Sequence, residues 1–160
     1  MIPELRQAYN AAFTEARYRA MQEWLEAEAG VHVPFRIGET PVFLPPALTD
    51  ELERAAHEIL AAVRSPEYLR AAERAVPAGY RVPGEDPQPA FLLVDLALAV
   101  EDGRVVPRLI ELQGFPSLYA FQWLLDRAYR RHFAIPAEMT PYFGGYDEAS
   151  YVEALRESIS

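Results

Sequence analysis

Neither cysteine nor lysine occurs anywhere in the 160 residues of this chain. Without cysteine there is no disulfide framework and no thiolate metal site, a usage that suits a reducing compartment. Without lysine there can be no Schiff-base lysine, no lysine general base and no P-loop lysine. Any anion must be met by arginine, a planar fork rather than a point charge. Long apolar runs are also missing. The longest, Ala90 to Val100, is interrupted by Asp95, and a membrane span needs about 20 residues. The first residues, Met1-Ile2-Pro3-Glu4-Leu5-Arg6, show no basic region leading into an apolar run, so no secretory leader is expected. The expected location is therefore cytoplasmic, with no membrane partner.

A basic surface is lacking as well. The net charge is −9, with 24 acidic and 15 basic residues. Residues 1–89 carry 14 acids and 9 bases and residues 90–160 carry 10 and 6, so neither half offers a basic face. A nucleic-acid backbone is not an expected partner. What is present in quantity is apolar: 51% of the residues are hydrophobic, enough to exclude a disordered chain. A single domain spanning 1–160 is expected.

Along the chain, apolar residues at three- and four-residue spacing predict one long N-terminal helix over 3–29, stopped by Gly30. Two short extended pieces follow, 31–37 and 41–44. Thr49, with Asp50 and Glu51 after it, predicts a helix start, and that helix should run to about Arg64. Ser65-Pro66 predicts a second start, to about Ala75. Residues 76–89 hold four prolines and two glycines and read as a loop of functional length. Phe91 to Val100 is a strand, Asp102-Gly103 a tight turn, and Arg104 to Gln113 the return strand. Ser117 should cap an apolar helix to about Arg131, and Asp147 a final amphipathic one. The composite is α+β: a small, mainly antiparallel sheet with a central hairpin at about 91–113, packed by several helices.

The hairpin holds the chemistry. Asp95 lies in Phe91-Leu92-Leu93-Val94-Asp95-Leu96-Ala97-Leu98 and Glu111 in Leu109-Ile110-Glu111-Leu112-Gln113. An ionised carboxylate in such a run is costly unless paired, hydrogen-bonded or bound to a metal. Two of them in one hairpin suggest a shared cation, and magnesium is the natural one. The alternative is that Asp95 is hydrogen-bonded internally while Glu111 pairs with an arginine. Register decides. With a strict two-residue turn Asp95 faces Ile110 and Glu111 points to the other side. A three-residue turn, or one bulge, puts Asp95 opposite Leu109, with Glu111 and Gln113 on its face. Pro107 cannot donate to the ladder and marks this strand as an edge or a bulged one; a bulge there would bring the carboxylates together.

The stretch Val94-Asp95-Leu96-Ala97-Leu98, then Glu101-Asp102-Gly103, then Leu109-Ile110-Glu111-Leu112-Gln113-Gly114-Phe115-Pro116-Ser117 resembles the metal-binding hairpin of ATP-grasp enzymes. That family shows an Asp in one strand, an acidic-Gly turn, and a Glu-x-Asn followed by Pro closing the next. The resemblance implies that Asp95, Glu111 and Gln113 hold magnesium at the phosphates of ATP, and that the reaction is ATP-dependent ligation of a carboxylate to an amine. Gln113 replaces the family's asparagine, the Asp-to-Glu spacing is longer than is common, and the family's nucleotide-holding lysines have no counterpart. A circularly permuted relative, whose nucleotide-clamping half follows the hairpin, would reconcile these differences. The chain would then be the N-terminal portion of a longer protein, completed by its own remainder or by a homo-oligomer partner.

Arg36 and Glu39, beside Gly38, form a second candidate: an arginine fork for substrate carboxylate or phosphate, or else a loop salt bridge. His32, His57 and His132 share no ligand spacing. Arg127, Arg130 and Arg131 read as a solvated face, with an anion site as the alternative. Phe115, Tyr119, Phe121, Trp123, Tyr129 and Phe133 read as core packing. A competing function is a non-catalytic α+β module whose aromatic helix and proline loop make a partner surface.

Overall fold

A computed structural model describes residues 1–84, 89–115 and 118–160. In chain order the elements are α1 (Pro3–Ala12), α2 (Glu15–Ala29), α3 (Pro46–Val63), α4 (Pro66–Ala75), a 3-10 turn (Ala78–Tyr80), β1 (Leu93–Glu101), β2 (Arg104–Gln113), α5 (Tyr119–His132) and α6 (Glu148–Ile159). The fold is α+β, as expected. The chain forms two compact units, one made of residues 1–46 and 118–160 and the other of residues 47–117.

The first unit is helical. The predicted helix over 3–29 is divided, because the backbone at Phe13 and Thr14 is extended and Thr14 accepts the amide of Arg17 as a new N-cap. A hydroxyl-bearing residue followed by an acid can satisfy the first orphan N–H groups of a helix more cheaply than it can sit in mid-helix. Gly30 ends α2 at φ +68, where only glycine avoids a Cβ penalty. The core joins Tyr9, Met21, Leu25, Ile37, Phe43, Ala128, Tyr129 and Phe133. Helix α5 packs on α2 and on α6. Most of its side chains are half-buried rather than enclosed, so the burial between layers that its apolar sequence suggests is only partial. The expected extended pieces at 31–37 and 41–44 run as loop and join no ladder.

In the second unit α3 begins at Pro46, three residues before the predicted start at Thr49. Proline suits a first turn because its missing N–H would be unpaired there anyway. Ser65 caps α4 through the amide of Tyr68, with Pro66 following, as the sequence predicts. β1 and β2 pair antiparallel as a two-stranded sheet. Asp102 and Gly103 both have positive φ, 50° and 76°, the backbone that a two-residue hairpin turn requires. The expected cap at Ser117 lies outside the described residues. Asp147 caps α6 with a reciprocal Ser150 contact.

Candidate functional site

From the turn, the ladder runs Glu101 with Arg104, Ala99 with Val106, Ala97 with Arg108 and Leu96 with Leu109; Asp95 then pairs with Glu111. Ile110 has no partner and is the bulge. Of the two alternatives at Pro107, the edge strand holds, since β2 pairs with β1 alone among the described residues; Pro107 pairs with Leu98 and the bulge lies three residues further on. It also inserts its extra residue in β2. Asp95 therefore faces Glu111 directly rather than Leu109.

Alternation from these pairs sorts the hairpin into two faces. Leu93, Asp95, Glu101, Arg108, Glu111 and Gln113 share one; Val94, Leu96, Leu98, Val100, Val105, Pro107, Leu109 and Leu112 share the other. The first face carries the polar chemistry and the second is wholly apolar. Residues directly opposite in an antiparallel pair have Cβ atoms about 4.5–5.5 Å apart, and like charges so placed repel.

No arginine relieves this repulsion. Glu111 accepts a hydrogen bond from the Gln113 side-chain amide. The side chain of Asp95, half-buried, has no ion-pair or hydrogen-bond partner among the described residues. The nearest base in register on that face, Arg108, is committed to Glu101, with its Nε donating at 2.7 Å and an Nη2 contact completing the fork. The donor set is two carboxylates and an amide whose carbonyl oxygen is not used in its bond to Glu111. These are hard oxygen donors, the kind that magnesium selects. Among the described residues no three acidic or histidine side chains are grouped so as to hold a metal ion, so Gln113 would have to serve as the third protein ligand. Pro116 and Ser117, which close the resemblance, lie outside the described residues.

Arg36 and Glu39 come together as a contact between Arg36 Nη2 and Glu39 Oε1, on side chains that are 82% and 50% exposed. The fork is thus engaged by its neighbour in open solvent. The loop beneath it is held firmly. Tyr18 donates to the carbonyl of Ile37 at 2.6 Å, Tyr129 to that of Gly38, and Tyr9 to that of Glu39 at 3.0 Å. Three tyrosines from α1, α2 and α5 therefore bond three consecutive carbonyls. Burial raises the hydroxyl pKa of all three, that of Tyr129 to about 12.

The first unit also contains a cleft of about 670 Å³, lined in part by Trp24, Arg127, Arg131 and Tyr142. The arginines are legible in the sequence, but this setting is not. Trp24 is about a hundred positions from them, and no local spacing signals the contact. His32 bonds Glu26 at 2.6 Å, His57 is exposed on α3, and His132 lies beside Trp24.

No protein-family model matches the chain, and no curated protein or solved structure matches it. Among the described residues, no helix is long and apolar enough to cross a membrane.

Proposed function

We propose that the β1–β2 hairpin is a divalent-cation site that presents the phosphates of a nucleotide, in the manner of the ATP-grasp enzymes its sequence resembles. The observation that carries this reading is the Ile110 bulge, which sets Asp95 directly opposite Glu111 with no arginine between them. Like charges held opposite each other in a strand pair repel, and a cation bound between them removes that repulsion. Asp95 and Glu111 would be the charged ligands and Gln113 the neutral one. Gln113's amide already orients Glu111, the supporting role that outer contacts play at metal sites. Magnesium bound there would neutralise charge on a transferring phosphoryl group, and the reaction class that follows from the resemblance is ATP-dependent carboxylate–amine ligation. Arg36 is the candidate for a substrate carboxylate or phosphate; it would have to exchange its contact with Glu39 for the ligand.

Isothermal titration of Mg-ATP tests the proposal. Saturable heat with the native chain, lost in Asp95→Ala, supports it; no heat with the native chain, or equal heat in both, contradicts it.

A second reading is favoured by one observation. On the hairpin's apolar face, Leu98, Val100, Val105 and Leu109 are 40–72% exposed, more aliphatic surface than one strand pair ordinarily leaves open. A non-catalytic interaction module would use that face, and would bind its partner equally well with Asp95 replaced.

A further inference from the structure

Arginine 130 of α5 is fully occupied. Its Nε donates to both oxygens of Asp126 at 3.0 and 2.9 Å, and its other nitrogens reach the carbonyls of Pro136 and Met139. Its neighbours are not. Arg127 and Arg131, one turn apart and so on one side of the helix, have no carboxylate partner among the described residues, in a chain whose 24 acids outnumber its 15 arginines. Both instead lie over Trp24, with guanidinium carbons 5.9 and 5.5 Å from the ring centroid, and Arg127 is also 5.1 Å from the centroid of Trp123. A guanidinium at this distance is attracted by the indole ring quadrupole. That attraction uses none of the N–H donors of the fork, and no carboxylate among the described residues takes them.

Of the four acids that line the cleft, Glu138 is exposed and has no arginine partner among the described residues, and the other three are spoken for. Asp126 holds Arg130, Asp147 caps α6 through the amide of Ser150, and Glu148 accepts from the Trp123 indole at 2.7 Å. Tyr142, in the cleft wall, has a buried hydroxyl without a hydrogen-bond partner. Two arginine forks without a carboxylate partner therefore border a cleft of small-molecule size, with an unmet buried hydroxyl in its wall.

We propose that Arg127 and Arg131, braced on Trp24, bind a small organic or inorganic oxyanion in this cleft. The chemistry required is a group with two or more anionic oxygens, a carboxylate or a phosphate, that can accept both forks. The site stands apart from the hairpin reading and needs no divalent cation.

Trp24 and Trp123 are the only tryptophans in the chain, and both lie against Arg127, so tryptophan emission, excited where the tyrosines absorb little, reports on this site. The experiment titrates inorganic phosphate and, separately, succinate into the full chain without magnesium, with ionic strength held constant by chloride. A saturable change with at least one of them is expected, and which one responds identifies the class. Arg131→Gln should weaken it by about tenfold or more, the loss expected for hydrogen bonds to a charged group. Arg131 is exposed, so the fold should survive, and the variant's circular dichroism and melting curve verify that. Arg131→Lys, which keeps charge but not the fork, should recover only part of the affinity. No saturable change with either anion, a response that chloride reproduces, or equal affinity in the native chain and Arg131→Gln would overturn the proposal.

Discussion

Three phenolic hydroxyls that hold the loop at residues 37–39 contribute to how the first unit responds to alkali. Tyr9, Tyr18 and Tyr129 donate to the carbonyls of residues 39, 37 and 38, and each needs its proton to do so. Their pKa values lie above the ordinary 10.0 chiefly because burial disfavours the phenolate; that of Tyr129 reaches about 12. Above pH 10 the unfolded chain releases these protons while the folded chain retains them. The unfolded state then binds fewer protons, and stability must fall as pH rises. Thermal melting should thus be insensitive to these groups below about pH 10 and drop steeply between pH 10 and about 12. Tyr129→Phe removes one titrating donor and strands the carbonyl of Gly38. It should lower stability at neutral pH by about 1–3 kcal/mol and make the alkaline drop shallower. An alkaline limb of unchanged steepness in that variant would exclude Tyr129 as a contributor.

Among the elements, the hairpin depends on one unpaired residue. Ile110 absorbs the register difference between the turn and the carboxylates. Without a bulge the Asp102-Gly103 turn would place Asp95 against Ile110 and turn Glu111 to the apolar face. Deleting Ile110 should leave Leu109 opposite Leu96 and Glu111 still opposite Asp95, now in a regular ladder. If the pair binds a cation, magnesium should raise the melting temperature of the native chain and of this deletion variant alike. A magnesium response in the native chain that vanishes on deletion would contradict the register argument. The turn, the Ser65-Pro66 start and the Gly30 stop were legible in the sequence because each rests on a residue with a local conformational preference. The bulge was legible only as a possibility. Ile110 carries no such preference, and Pro107, which does, is accommodated in the ladder. The break at Thr14 was hidden by apolar periodicity that continues through it, although Thr14-Glu15 carries a helix-start signal.

At the scale of the molecule, segments 1–46 and 118–160 build one core, and 47–117 is a contiguous insertion between them in sequence. Among the described residues of that insertion Leu48 alone is buried. Two strands are marginal by themselves, so a cation joining β1 to β2 would stabilise this unit as well as equip it. The Trp24 cleft, like the tyrosine-pinned loop, is assembled from residues remote in sequence and was not legible before folding brought them together. The most direct test of the central claim, that Asp95 and Glu111 grip one ion, is a manganese(II) titration followed by amide NMR. Paramagnetic broadening at substoichiometric metal should begin at residues 94–96 and 111–113 and be absent in Asp95→Asn. Broadening that starts instead along the acidic surface of α3, or is unchanged in Asp95→Asn, would contradict it.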